Sequence, residues 1–458
     1  MSDESSLKQS ALLVATLAAF ITPFMGSSIN VALPSIGEEF AMDAVLLSWV
    51  PTAYLLAAAI LVVPFGRIAD MAGRKKIFAL GMSVFTVGSL LSALSVSTTM
   101  LIGSRALQGV GGAMIFGTGV AILTSVFPPQ ERGRALGINV AAVYIGLSVG
   151  PFVGGFLTEQ LGWRSIFALM VPLGLLMVII VFRKLKGEWA DAEGAKLDVP
   201  GTILYSTTLV AIMYGFSQLP HALGAILLAA GLLGMVLFVR WELKAESPLV
   251  NMDLFRYNRT FALSNLAALI NYSATFAVGF LLSLYLQYIR GFTPQQAGLV
   301  LVAQAAVMAL GSPFAGKLSD RIEPRIVASA GMGFIVVGLV FLTFLSETTP
   351  LWMIVLALVL LGIGFALFSS PNTNAVMSSV ERNSYGVAAG TVATMRMTGQ
   401  MFSLGIVMLI FALAMGRVQI LPEYYDQFLT SVRIAFGIFA ALCSGGVFAS
   451  LARGKVRT

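Results

Sequence analysis

Fourteen apolar stretches, each close to or above the ~20 residues needed to cross a hydrocarbon core, decide what this chain can fold into. They fall near 11–33, 45–65, 77–96, 99–126, 135–158, 165–183, 201–218, 222–240, 261–289, 294–315, 327–346, 351–373, 386–414 and 430–451. In lipid an unpaired backbone N–H or C=O costs several kcal/mol, so a spanning segment must be a helix or a strand of a closed barrel. Runs this long, without alternation at period two, are helices. Only 11% of the 458 residues are charged and 58% are hydrophobic, whereas a soluble domain carries about 25% charged residues. The expected fold is an all-α integral membrane protein crossing fourteen times.

A charged hairpin divides the chain into two related parts. Gly66-Arg67-Ile68-Ala69-Asp70-Met71-Ala72-Gly73-Arg74-Lys75 has a degraded copy at Gly316-Lys317-Leu318-Ser319-Asp320-Arg321-Ile322-Glu323-Pro324-Arg325, an offset of 250 residues (66 to 316). Glu131-Arg132 and Glu381-Arg382 repeat the offset (131 to 381). Duplicated helical units are how secondary transporters are built. The expected organisation is an N-terminal six-helix half over 11–183, an inserted helix pair over 200–240 and a C-terminal six-helix half over 261–451. Turning at Leu219-Pro220-His221, the pair crosses and returns, which leaves both halves in one orientation.

Charge placement sets the topology. With both termini in the cytoplasm, every Lys and Arg lies on the cytoplasmic side except Arg164, Arg290, Arg417 and Arg433, and Arg105 and Arg396 within helices. That bias obeys the positive-inside rule and places the chain in the cell membrane. A net charge of +7 spread over separate loops makes no basic face for nucleic acid. Cys443 stands alone and the single histidine, His221, sits in an outer turn. No metal cluster, nucleotide loop or catalytic constellation is present, so neither a cofactor nor an enzymatic activity is expected, and the chain is expected to be monomeric.

Several stretches resemble the major facilitator superfamily. Leu47-Ser48-Trp49-Val50-Pro51-Thr52-Ala53-Tyr54 followed by the Gly66–Lys75 hairpin resembles its second helix and first signature loop, and Arg105-Ala106-Leu107-Gln108-Gly109-Val110-Gly111-Gly112 its fourth-helix motif. Gly146-Leu147-Ser148-Val149-Gly150-Pro151-Phe152-Val153-Gly154-Gly155 is similar to the fifth-helix motif of its exporters. Pro248–Phe255 and Gln287–Gly298 resemble stretches of the fourteen-helix drug:proton antiporter branch. The resemblance implies alternating access between the halves, proton antiport as the driving reaction, and a role for Arg105 in ion coupling.

Each motif also has a physical reading. Gly66 and Gly73 permit a tight reversal, and Asp70 sits near the start of the third helix, where the dipole favours a carboxylate. Arg74 and Lys75 offer partners to Asp70, to helix C-termini and to anionic lipid. The group is read as a latch closing the cytoplasmic side, with a weaker counterpart at Asp320. Gly146, Gly150 and Gly154 recur every four residues and share a helix face with room for close approach. With Pro151 and Gly155 they are expected to form a dry contact across the halves. A cation inside a span marks a cavity or a partner, which singles out Arg105 and Arg396; the competing reading of Arg105 is a side chain snorkelling to the outer surface.

Family exporters of the antiporter branch carry an Asp shortly before Asn30-Val31-Ala32-Leu33-Pro34, where this chain has Met25. All 21 acidic residues fall in loops, termini or helix ends. Asp70 and Glu159 are therefore the only acidic coupling candidates, beside Arg105. Substrate contacts are expected from polar residues within apolar helices: Asn30, Tyr54, Tyr144, Asn271, Tyr272, Gln304 and Arg396. Such a lining suits neutral or amphipathic hydrophobic molecules better than sugars or anions, and lacks a charge for strongly cationic drugs. The expected function is efflux of such molecules. A lipid or metabolite exporter with weak or no proton coupling, and a non-transporting sensor or scaffold, are the alternatives.

Overall fold

The computed structural model describes residues 2–190, 197–246, 248–250, 252–319, 321–381 and 385–454. Its helices in chain order are α1 (Ser2–Glu39), α2 (Ala44–Ala72), α3 (Arg74–Ala93), α4 (Thr98–Val126), α5 (Pro129–Leu161), α6 (Arg164–Lys184), α7 (Val199–Gln218) and α8 (Ala222–Glu242). After them come α9 (Met252–Tyr257), α10 (Arg259–Thr275), α11 (Ala277–Leu284), α12 (Pro294–Ser319), α13 (Pro324–Thr343), α14 (Leu351–Ser378), α15 (Tyr385–Ala414) and α16 (Tyr425–Ala452). Helices α10 and α11 continue through a π-helical turn, Tyr285–Ile289, into one span. Fourteen spans result, each where an apolar stretch required one. The short α9 is an addition, too brief to cross.

Helix starts follow capping chemistry. Asp43 accepts from the Leu46 N–H at 2.7 Å, Asp198 from Gly201 at 2.9 Å and Asn258 from Phe261 at 2.9 Å. Each bond satisfies a backbone donor that the first helical turn leaves free, worth about 1 kcal/mol.

The duplication reappears in the packing. Among the first six spans, α1 packs on α5, α2 and α3 on α4, and α3 on α6. Among the last six, α10 packs on α15, α12 and α13 on α14, and α13 on α16. Gly81 and Gly331 occupy matching positions, and a Cβ on either would press on a facing glycine carbonyl, 3.0 Å from Gly111 O and 2.6 Å from Gly364 O. Both copies thus bring two backbones together through the same missing side chain.

The two sets of six meet along two seams, α5 on α12 and α2 on α15. The inserted α7 and α8 pack on each other, and α7 rests on both α2 and α15. Trp49 of α2 meets the Tyr214 ring at 6.4 Å between centroids, and the Tyr205 hydroxyl lies 3.3 Å from Thr398 Oγ1 of α15. The inserted pair therefore covers one seam. Leu232, Leu310, Phe314 and Phe448 are exposed, which is the lipid-facing side of such a bundle.

Candidate central site and its two gates

Four residues singled out in the sequence converge between the two sets of helices. Arg396 projects from α15, about 16 Å along the helix at 1.5 Å per residue, and its guanidinium interacts electrostatically with Tyr272 of α10 and Tyr54 of α2. Tyr144 of α5 interacts with Tyr272, and its hydroxyl donates to Ser369 Oγ of α14 at 3.4 Å. The Tyr272 ring meets Phe365 edge-on, 5.5 Å between centroids. Two donor atoms are left over: the Tyr54 hydroxyl and Arg396 Nε are buried without a hydrogen-bond partner. Ser369, which completes the group, gave no signal in the sequence, since a serine within an apolar run ordinarily bonds its own helix.

Arg105 does not snorkel. Its side chain is 1% exposed, with Nε donating to the Val50 carbonyl at 3.2 Å and Nη1 to Gln108 Oε1. Gln108 Nε2 in turn donates to Ser89 Oγ at 2.7 Å. The guanidinium lies 4.8 Å from the Tyr54 ring centroid and 5.8 Å from that of Phe167. Glycines make the crossing possible: a Cβ at Gly112 would stand 2.6 Å from the Tyr54 hydroxyl. Arg105 is thus a fixed brace behind Tyr54. Among the described residues it has no carboxylate partner.

The remaining substrate candidates are scattered. Asn30 of α1 faces Gly279 of α11 across the seam, 3.6 Å from the Cβ position. Asn271 is buried with neither amide atom bonded. Gln304 lies on α12 where it crosses α14, its carbonyl 2.6 Å from the Cβ position of Gly362. None of the three is among the contacts of the arginine–tyrosine group.

Helices of the two sets are joined at the end of the bundle away from the chain termini. The Glu159 carboxylate of α5 accepts from the Gln295 N–H, 3.1 Å, at the first turn of α12. Gln287, in the π turn, donates to the Val31 carbonyl at 3.0 Å. Ala44 N–H donates to Val418 O at 3.1 Å, and Gln419 Nε2 to Ala41 O at 3.2 Å. Gly155 and Gly298 bring α5 and α12 backbone to backbone; a Cβ on Gly155 would lie 2.5 Å from Pro294 O, and one on Gly298 would collide with Pro151 O. One turn before Asn30, on the same face of α1, Gly26 meets nothing within 4 Å.

The fifth-helix glycines need a correction. Gly146, Gly150 and Gly154 do not face the other set of helices: their Cβ positions meet Phe20, Phe24 and Ser28 of α1, within the first six. Ser28 Oγ donates to the Gly150 carbonyl at 2.8 Å. Only Pro151 and Gly155 reach across. A small-residue stripe announces a close neighbour without saying which one. Glu159 is exposed and accepts from the first turn of α12.

At the terminal end, Asp70 pairs with Arg74, 2.7 Å to Nη2 and 2.9 Å to Nε, and Arg74 Nη1 donates to Ser125 Oγ of α4 at 2.5 Å. Gly73 turns at φ +113°, a conformation that favours glycine. The segment after α6 sits on this turn: Arg74 N–H donates to Trp189 O at 2.9 Å and Lys75 N–H to Glu188 Oε1 at 2.8 Å. Gly66 has open space at its Cβ position while Gly117 packs on its backbone. These bonds tie α2, α3 and α4 to one another. Asp320, its expected counterpart, lies outside the described residues.

Arg453 gives no signal in the sequence. It is buried at the end of α16, donating to Ser264 Oγ, Asn372 Oδ1 and the Pro324 carbonyl. Burial pulls its pKa down to about 10, with the Glu323 carboxylate opposing that shift, so it is charged at neutral pH and braces α10, α13 and α14.

Comparison with known proteins fits this geometry. The family model described as Major Facilitator Superfamily matches residues 15–404 and 264–455. The riboflavin transporter RibZ of Clostridioides difficile is 30% identical over 95% of both chains. The multidrug resistance protein Stp of Mycobacterium tuberculosis is 32% identical over 84% of this chain and 73% of its own. Among solved structures, a bacterial homologue of the human lysosomal transporter Spinster, inward-facing and unoccupied, matches with a TM-score of 0.71 at 16% identity, covering 98% of this chain and 97% of its own. At that identity the likeness shows the fold alone.

Proposed function

The chain belongs to the major facilitator superfamily and is a transporter, not an enzyme; from that premise we propose that it exports amphipathic small molecules through the site formed by Tyr54, Tyr144, Tyr272 and Arg396. The observation that carries this reading is the convergence of four spans, two from each six-helix half, on one polar group with unpartnered donors. A group shared between halves is remade each time they rock, as alternating access requires. The two halves are 11–183 and 261–451, and the pair 200–240 seals the α2–α15 seam. Multidrug efflux is supported by the likeness to Stp, while the likeness to RibZ keeps a metabolite as cargo.

Proton antiport is the coupling that family resemblance favours, with Asp70 and Glu159 as its acidic candidates. A second reading, export without a proton carrier, is favoured by the lack of any acidic residue within the apolar core of a span. Ethidium efflux from proteoliposomes, with and without a pH gradient, separates the two. Efflux that follows the gradient supports antiport, indifference to it supports the second reading, and transport of none of ethidium, riboflavin and 2-naphthoate overturns the export assignment.

A further inference from the structure

Resting on the central-site reading above, we propose that Arg396 recognises a carboxylate on the substrate, so that the cargo is an amphipathic anion. The charge inventory of the interior comes first. Arg105 and Arg396 lie well inside their apolar stretches, while every Asp and Glu of the sequence lies in a loop, a terminus or a helix end. Neither arginine has a carboxylate partner among the described residues. An arginine at mid-span costs a few kcal/mol on insertion scales, and an uncompensated charge there is recovered only when something anionic or acceptor-rich arrives.

The two arginines differ in what they have left to give. Arg105 spends Nε on Val50 O and Nη1 on Gln108, and lies over the Tyr54 and Phe167 rings. Arg396 interacts with tyrosyl hydroxyls and retains a buried, unpartnered Nε. A guanidinium edge presents two parallel N–H donors, which match the two oxygens of a carboxylate. The Tyr54 hydroxyl, also without a partner and within electrostatic reach of Arg396, supplies a further donor. Phe365 and the Tyr272 ring, in edge-on contact, provide an apolar wall for the rest of the molecule. The same positive charge repels cations, which is specificity by exclusion. Polar residues counted along the sequence favoured neutral molecules over anions; the assembled site reverses that preference, because three hydroxyls and a guanidinium converge where no carboxylate does.

The test uses purified full-length protein and three probes: 2-naphthoate, its methyl ester and ethidium. Equilibrium binding and efflux from proteoliposomes are measured for each. Wild-type protein is expected to bind the acid at least about tenfold tighter than the ester, the scale of one charge-assisted hydrogen bond. Arg396→Gln collapses the acid-to-ester ratio toward one, and Arg396→Lys, which keeps the charge but loses the fork, restores it in part. Equal binding of acid and ester by the wild type, or a preference for ethidium, overturns the proposal and leaves the export reading standing. Absence of saturable binding and of efflux for all three probes overturns both. The wild-type ratio needs no variant, so a misfolded Arg396→Gln protein does not rescue the idea.

Discussion

Arg105 and Asp70 show how differently two charged residues of one family motif set earn their place. Removing the Arg105 side chain leaves Gln108 Oε1 without its donor in a buried position and takes a second donor from the Val50 carbonyl, a loss of about 1–3 kcal/mol. Arg105→Ala should therefore lower both thermal stability in detergent and transport, and Arg105→Lys should recover little, because an ammonium cannot serve Val50, Gln108 and the Tyr54 ring together. Wild-type melting by Arg105→Ala would refute the brace. The Asp70–Arg74 pair is partly exposed, and such pairs contribute at most about 1 kcal/mol. Asp70→Asn should leave the melting temperature almost unmoved while abolishing efflux; intact efflux would show that the hairpin only anchors topology. At this scale the sequence was half legible. Arg396, Tyr54, Tyr144 and Tyr272 stand out because polar groups are rare in apolar helices, yet nothing in one dimension says that they meet, and Ser369 and Arg453 carry no mark at all.

Helices were far more legible than their partnerships. Lipid forces each crossing to be one long apolar helix, so all fourteen were readable; α9, six residues at a boundary, is not under that constraint. Which helix faces which depends on shape, and the fifth-helix stripe shows the limit. That division yields a paired prediction. Gly155→Ala sets a methyl against the α12 backbone, so it should loosen the far-end contact between halves. Gly150→Ala presses on Ser27 and Phe24 within the same half, so it should lower stability without favouring either state. Spin labels on the exposed Leu161 of α5 and Leu299 of α12 report the difference: a widened distance for Gly155→Ala and an unchanged one for Gly150→Ala. Native Cys443 is buried and leaves the labelling clean. Glu159→Ala, which uncaps α12, should widen the same distance by a smaller amount, and no change would remove Glu159 from the gate.

Across the whole molecule, the halves are joined at the end away from the termini and enclose two arginines, Arg105 and Arg396, in their interior. Suppose the cargo carries a negative charge and moves without a proton. The membrane voltage then becomes the battery: one elementary charge crossing 100 mV is worth about 2.3 kcal/mol, close to a fiftyfold concentration ratio at 1.4 kcal/mol per decade. In proteoliposomes at equal pH, a potassium diffusion potential set with valinomycin should drive 2-naphthoate outward when the lumen is negative and retain it when the sign is reversed. A flux blind to voltage that instead follows a pH gradient would return proton exchange to the mechanism. If voltage does drive the flux, the methionine at position 25, buried in α1, marks a carrier that runs on electrical potential and has no titrating group to maintain.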